Sequence, residues 1–315
     1  MHDLGVSFGT LRGRVKAVDG AEFSLEPGQV LGLAGESACG KTTCALSIVK
    51  LLPSNANIDR GAIVFDGEDL VKKPEEQMKK LRWKDISIIF QGAMNALNPV
   101  ATVERQIAEA IVVHEEISRS DAVGRARELL RLVEIEPQRC QNYPHELSGG
   151  MKQRVMIAMS LACYPRLVIA DEPTTALDVM IQAQVLNLLR RLQKELNLSL
   201  ILISHDLSIL AQNCDRIAIM YAGQVVEDAP TRDLVEHPAH PYTVELLRAI
   251  PELPGEKRRL NSIPGNPPDL LNPPEGCRFQ ERCPWREECC DISPEAPVLR
   301  EIVSGQYVAC HLPRS

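Results

Sequence analysis

The chain has 315 residues, a formal net charge of −7 and only 4% aromatic residues. That length can bury a full core and more than one domain. An acidic balance without a basic stripe or a set of stacking rings argues against nucleic acid as a partner. There is no charged–apolar–small N-terminal signal and no uninterrupted apolar run of about 18 residues. The chain is therefore expected neither to cross a membrane nor to be exported.

Taken in order, Asp3 to Phe8 and Val15 to Leu25 alternate like antiparallel strands leading into Pro27-Gly28. Met1 stands so close to the first of these that a few residues are expected upstream. Val30 to Ala34 is a short apolar run, read as a strand, and Thr43 to Leu52 carries a helical apolar pattern that stops at Pro53. Ala62 to Asp66 and Ile86 to Phe90 read as further strands, the second ending at Gln91. The pattern then turns helical over Val103 to Val113, Ala122 to Val133 and Gly149 to Cys163. Leu167 to Ala170 is a strand running into Asp171-Glu172. Val179 to Leu196 is an amphipathic helix, and Leu200 to Ile203 a strand ending at Ser204-His205-Asp206. Strand alternating with helix at this spacing predicts an α/β fold with a largely parallel sheet. From about His237 the composition shifts: eleven of the 22 prolines lie between Pro251 and Pro313, which predicts a loop-rich tail separate from the core.

Between the first buried strand and its helix stands Gly35-Glu36-Ser37-Ala38-Cys39-Gly40-Lys41-Thr42, which fits G-x-x-x-x-G-K-S/T. A glycine-rich turn there aims successive backbone N–H groups at one point, and the helix N-terminus adds partial positive charge. Lys41 is expected to reach the β- and γ-phosphates of a nucleoside triphosphate, and the Thr42 hydroxyl to ligate Mg²⁺. Apolar strands that end in polar residues place them at the carboxyl edge of the sheet, where ligands of open α/β folds bind. Asp171 is then the natural partner of Mg²⁺. Glu172 could accept a proton from the water attacking the γ-phosphate, His205 could hydrogen-bond that phosphate, and Gln91 could reach Mg²⁺ or the water. Three residues before Ala17 stands Arg14, whose guanidinium could stack on the base or simply be solvated. Ser148-Gly149-Gly150 forms a second anion site, with Ser148 as helix cap and two glycines admitting a phosphate to the backbone. Its place on the helical block points to a nucleotide held by another molecule.

Gly35–Thr42, Gln91, Leu147-Ser148-Gly149-Gly150, Leu167–Glu172, Thr175-Ala176-Leu177-Asp178 and His205 follow one another at the spacing of a known family. Over residues 3 to 236 the chain resembles the ATP-binding subunit of an ABC transporter. Ala96-Leu97-Asn98-Pro99-Val100 and the tail segments Ile263-Pro264-Gly265, Leu271-Asn272-Pro273-Pro274, Gly276-Cys277-Arg278-Phe279 and Cys283-Pro284 resemble the oligopeptide/dipeptide and nickel importers among them. The resemblance implies a P-loop NTPase of the ABC ATPase type. Its RecA-like core with an antiparallel β subdomain would span residues 1–91 and 164–236, a helical signature subdomain 92–163, and a C-terminal extension 237–315.

It also implies ATP, with Gly35, Ser37, Gly40, Lys41, Thr42 and Thr43 holding it on one subunit and Ser148, Gly149 and Gly150 on the other, Asp178 lying at the seam. The implied partners are a second ATPase subunit, taken as a paralogue, two transmembrane permeases, and an extracytoplasmic substrate-binding protein reached through the complex. The chain would then sit on the cytoplasmic face of the membrane, where thiols stay reduced. Cys39, Cys44, Cys140, Cys163 and Cys214 read as packing residues. In that family four thiolates of the tail are associated with a 4Fe-4S cluster, which implies Cys277, Cys283, Cys290 and Cys310 here. Cys289 is an alternative third ligand and His311 a possible substitute; Zn²⁺ and bare thiols are the competing readings. The cargo alternatives are nickel or sugars. A soluble ABC ATPase of repair, translation or iron–sulfur assembly is the rival class, but such chains carry paired modules or long insertions, or lack this tail. A bare nucleotide-binding scaffold would have no need of Glu172.

Overall fold

The computed structural model describes residues 1–92, 96–249, 263–292 and 295–313. The chain divides into two compact units: Met1–Leu25 with Val30–Lys72 and Ser204–Ser315, and Glu26–Gln29 with Lys73–Ile203.

In the first unit, His2–Thr10 is the central strand of a three-stranded antiparallel sheet, flanked by Gly13–Ala21 and Ala56–Ala62. The second sheet of this unit is built on Val30–Ala34, buried at all five positions as a uniformly apolar run demands. It pairs in parallel with Arg216–Tyr221, which turns back through Ala222 and Gly223, both at positive φ, into antiparallel Gln224–Pro230. The tail then adds two strands to this sheet: Gln306–Val308 pairs with Gln224–Pro230, and Arg300–Val303 pairs with Gln306–Val308. The expected separation of tail from core therefore gives way to strand pairing among the described residues. Residues 250–262, part of the proline-rich stretch, lie outside them.

The helix after Val30–Ala34 runs Lys41–Ile48, shorter than the apolar pattern predicts. Lys50 takes a left-handed conformation (φ 50°), with its N–H on Ser47 O at 3.1 Å and Leu51 N–H on Leu46 O at 2.9 Å. That pair of bonds is a Schellman ending, so the helix stops before Pro53.

In the second unit, Ile86–Ile89, Leu167–Asp171 and Ser199–Ile203 form parallel neighbours in that order. Parallel neighbours need long crossovers. One is the helix Val179–Glu195; the other contains Val103–His114, Arg119–Leu132 and Gly149–Ser160. These three helices bury Val103, Ile107 and Ile111, Ala122, Ala126 and Leu129, and Val155 and Ile157 in turn. The middle helix starts earlier than its apolar pattern because Ser118 Oγ accepts the Asp121 N–H at 3.1 Å, capping the first turn. The Asn98-Pro99 loop is pinned by the buried amide of Gln106, which accepts from Asn98 N–H at 2.8 Å and donates to Ala101 O at 2.9 Å. Among the described residues no helix is long and apolar enough to cross a membrane.

Candidate nucleotide-binding and catalytic site

The phosphate-binding turn lies in the first unit. Gly35 has φ 142° and Gly40 φ 108°, conformations that L side chains rarely adopt. A Cβ on Gly35 would fall 2.1 Å from Met220 O, and one on Gly40 would fall 2.6 Å from Ala17 O. Only bare backbone fits at either place. Lys41 is 7% exposed, and its ammonium donates to Gly35 O at 2.7 Å and Glu36 O at 2.9 Å. The Lys41 charge is thereby held on the turn. Burial pushes the thiol of Cys39, inside the turn, above its ordinary pKa. Ser37 and Thr42 are exposed and Thr43 is half-buried, at the start of the helix. A turn shaped by glycines, a lysine and a helix N-terminus suits a triphosphate, and the hydroxyl oxygen of Thr42 at the helix start is a donor of the kind Mg²⁺ takes.

Two other predicted residues belong to this unit. His205 is exposed just beyond Ile203, and the neighbouring Ser204 N–H donates to Leu33 O at 3.2 Å. Arg14 is 69% exposed and lies 3.6 Å from Asp59, so its side chain is a solvated strand-edge cation.

The second unit holds the carboxylates. Asp171 closes the strand Leu167–Asp171 at 2% exposure. Glu172 follows in a left-handed conformation (φ 46°), with its N–H on Ile203 O at 3.0 Å. Such strain in a non-glycine residue persists where its surroundings enforce it, and concentrates at functional sites. The carboxylate is oriented from two sides: Gln91 Nε2 donates to Glu172 Oε2 at 2.8 Å, and Thr175 Oγ1 donates to the same oxygen at 2.9 Å. Thr175 was not among the site residues expected from sequence, although it opens the Thr175–Asp178 motif.

Ser148 is the N-cap of Gly149–Ser160, its Oγ accepting Met151 N–H at 3.3 Å. Gly149 is exposed, whereas a Cβ on Gly150 would fall 2.6 Å from Ile181 Cγ2. Gly150 therefore lets two helices approach. Asp178 caps Val179–Glu195, accepting Ile181 N–H at 3.0 Å. Arg154 and Arg191 both grip Glu134, the latter at 2.7 Å, and hold its carboxyl below the usual pKa.

The metal expectation for the tail is overturned. Cys277, Cys283, Cys290 and Cys310 line one small cavity with His240, Phe279 and His311. Yet among the described residues no three His, Cys, Asp or Glu side chains are grouped so as to hold a metal ion. All five tail cysteines, Cys289 included, are free thiols. Burial and the neighbouring thiols raise Cys310 to about 11, and burial raises Cys277. Neither a 4Fe-4S cluster nor zinc is assigned to this chain. Arginines and rings order the tail instead. Arg278 pairs with Asp19 and with Ala222 O, Arg282 pairs with Glu36, and Phe279 packs against Tyr221 and Tyr242 with centroids 5.2 and 5.4 Å apart.

Two family descriptions match the chain: ABC transporter over residues 18–175, and the oligopeptide/dipeptide transporter C-terminal region over residues 226–290. The chain is 45% identical to the oligopeptide transport ATP-binding protein OppD of Escherichia coli, covering 99% of this chain and 92% of the relative. It is 46% identical to the dipeptide transport ATP-binding protein DppD of Bacillus subtilis, covering 92% and 88%. Among solved structures it is similar to the dimeric, post-hydrolysis ATP-binding cassette MJ0796 bound to ADP and Pi. There the TM-score is 0.66 at 25% identity, over 73% of this chain and 97% of the other. With the glycine turn, the buried Lys41 and the strained Glu172 in place, the matches identify an ATP hydrolase of the RecA-like ABC type. The chain belongs to the ATP-binding subunits of the oligopeptide/dipeptide ABC transporter family.

Proposed function

We propose that Lys41, Thr42, Asp171, Gln91, Glu172 and His205 act in cis on one nucleotide, and that Ser148 and Gly150 act in trans on the nucleotide of a paired ATPase subunit. The observation that carries this reading is the turn itself, where both glycines leave room for backbone alone and Lys41 is drawn onto the turn's carbonyls. Backbone N–H groups of residues 37–43 and the Lys41 ammonium neutralise phosphate charge at a fixed place. Thr42 and Asp171, with Gln91, would hold Mg²⁺, which when bound neutralises phosphate charge further. Glu172, oriented by Gln91 and Thr175, accepts a proton from the attacking water. His205 donates to the γ-phosphate. Asp178 would lie near the seam between the two subunits.

The chain is the ATPase subunit of a peptide importer, as the names of its relatives and the match of its C-terminal region support. In this reading ATP closes two subunits on each other, and hydrolysis lets them part, driving two permeases. The partner ATPase is a paralogue, the substrate-binding protein delivers peptide from the far side, and the chain sits at the cytoplasmic face of the membrane. Uptake of labelled di- and oligopeptides by cells lacking this gene tests the reading. Wild-type chain should restore uptake and Lys41→Ala should not; full uptake with Lys41→Ala would refute it.

A further inference from the structure

Glu36 is an odd residue for an anion-binding turn, since a bare carboxylate there would repel the phosphates the turn exists to hold. It is not bare. Arg282, 246 residues away on the C-terminal extension, forks onto it, with Nη1 to Oε2 at 2.7 Å and Nη2 to Oε1 at 2.9 Å. The Arg282 side chain is 5% exposed and that of Glu36 27%. Every guanidinium N–H has an acceptor: besides Glu36, Nη1 reaches Tyr221 OH at 3.2 Å, Nη2 Ile263 O at 3.4 Å and Nε Pro264 O at 2.8 Å. Glu36 is held at its backbone too. Its N–H donates to Tyr242 OH at 2.9 Å, and its carbonyl accepts from the Lys41 ammonium.

We propose that Arg282 is a positioning residue for nucleotide binding: it cancels the charge of Glu36 and fixes the carbonyls on which Lys41 is anchored. The C-terminal extension thereby sets the grip of the phosphate-binding turn from outside it. This goes beyond the assignment of the ATP site, and rests on it. Arginine is needed because its planar fork meets both carboxylate oxygens at once, which a lysine cannot do. Removing Arg282 has two consequences. The turn loses a brace, and an uncompensated negative charge appears beside the incoming phosphates.

The test is MgATP titration of the full chain, with KM and kcat measured on the assembled transporter. Arg282→Ala should weaken MgATP affinity about tenfold, and raise KM more than it lowers kcat. The double variant Arg282→Ala/Glu36→Gln, with the orphaned charge removed, should recover affinity to within about threefold of wild type. A purely structural ion pair would give no such recovery. Wild-type affinity in a folded Arg282→Ala chain, or a double variant no better than the single one, overturns the proposal. Should Arg282→Ala not fold, Arg282→Lys decides: it keeps the charge, loses the fork, and must still weaken binding. Lys41→Ala serves as the reference. If it loses nucleotide while the Arg282 variants do not, this proposal fails and the ATP-site assignment stands; if it binds normally, the assignment itself fails.

Discussion

Gln91 Nε2 donates to Glu172 Oε2 at 2.8 Å, joining the end of one buried strand to the residue that follows its neighbour. The amide fixes the direction of a carboxylate whose backbone is already forced to φ 46°. In the role proposed for Glu172, a carboxylate held this way would lose little entropy on reaching its geometry for proton transfer. Glu172→Gln keeps the shape and the hydrogen-bonding reach but cannot take a proton. That variant should bind MgATP as wild type does and lose turnover about 100-fold or more. Phosphate release, read beside nucleotide titration, checks both halves.

The glycines make a contrasting pair of predictions. Gly35→Ala drives a Cβ into Met220 O at 2.1 Å in a conformation that alanine rarely adopts. It should cost about 2–3 kcal/mol of stability and sharply weaken nucleotide binding. Gly124, inside the helix Arg119–Leu132, has nothing within 4 Å of an added Cβ. Gly124→Ala should stabilise the chain by about 0.5–1 kcal/mol through helix propensity alone. Denaturant melts of the two variants measure both signs.

His240 gives the fold a pH dependence. It is 1% exposed, its Nδ1 accepts Tyr242 N–H at 3.0 Å, and burial pushes its pKa down to about 3. Unfolded, the imidazole titrates near 6.5, so the unfolded chain binds more protons between those two values. The stability tied to a neutral His240 is present above about pH 6.5 and drains as pH falls toward 3. Asparagine can keep the helix cap without titrating. Relative to His240→Asn, wild type should lose about 3 kcal/mol between about pH 6.5 and about pH 4. Glu227, whose carboxyl burial raises, titrates in both proteins and cancels in the comparison.

The residues around the P-loop were legible because their information is local. Val30–Ala34 is an unbroken apolar run between turn signals, and it is a strand over those five residues. The ends of Leu167–Asp171 and Ser199–Ile203 were readable for the same reason. What could not be read depends on distant partners. The strands Arg300–Val303 and Gln306–Val308 carry no clean apolar alternation. Their place follows from Gln306, whose amide donates to buried Glu227 at 2.9 Å, a partner 79 residues away. The Arg282–Glu36 pair is hidden likewise, because neither residue breaks its own local pattern. The tail cysteines misled in the opposite way: four of them line one small cavity, yet among the described residues no three ligating side chains are grouped so as to hold a metal ion, a geometry that spacing along the chain does not specify.

The central claim is that phosphate charge is gripped from two subunits, by the lysine-bearing turn of one and the Ser148 helix start of the other. Photo-crosslinking tests it most directly, with p-benzoylphenylalanine replacing Lys152, one turn beyond Ser148 on the same helix, in an assembled transporter that carries Glu172→Gln. A crosslink to the phosphate-binding turn of the partner ATPase subunit, formed only with MgATP, is the predicted result. No ATP-dependent crosslink, or one confined to the same chain, would contradict the account.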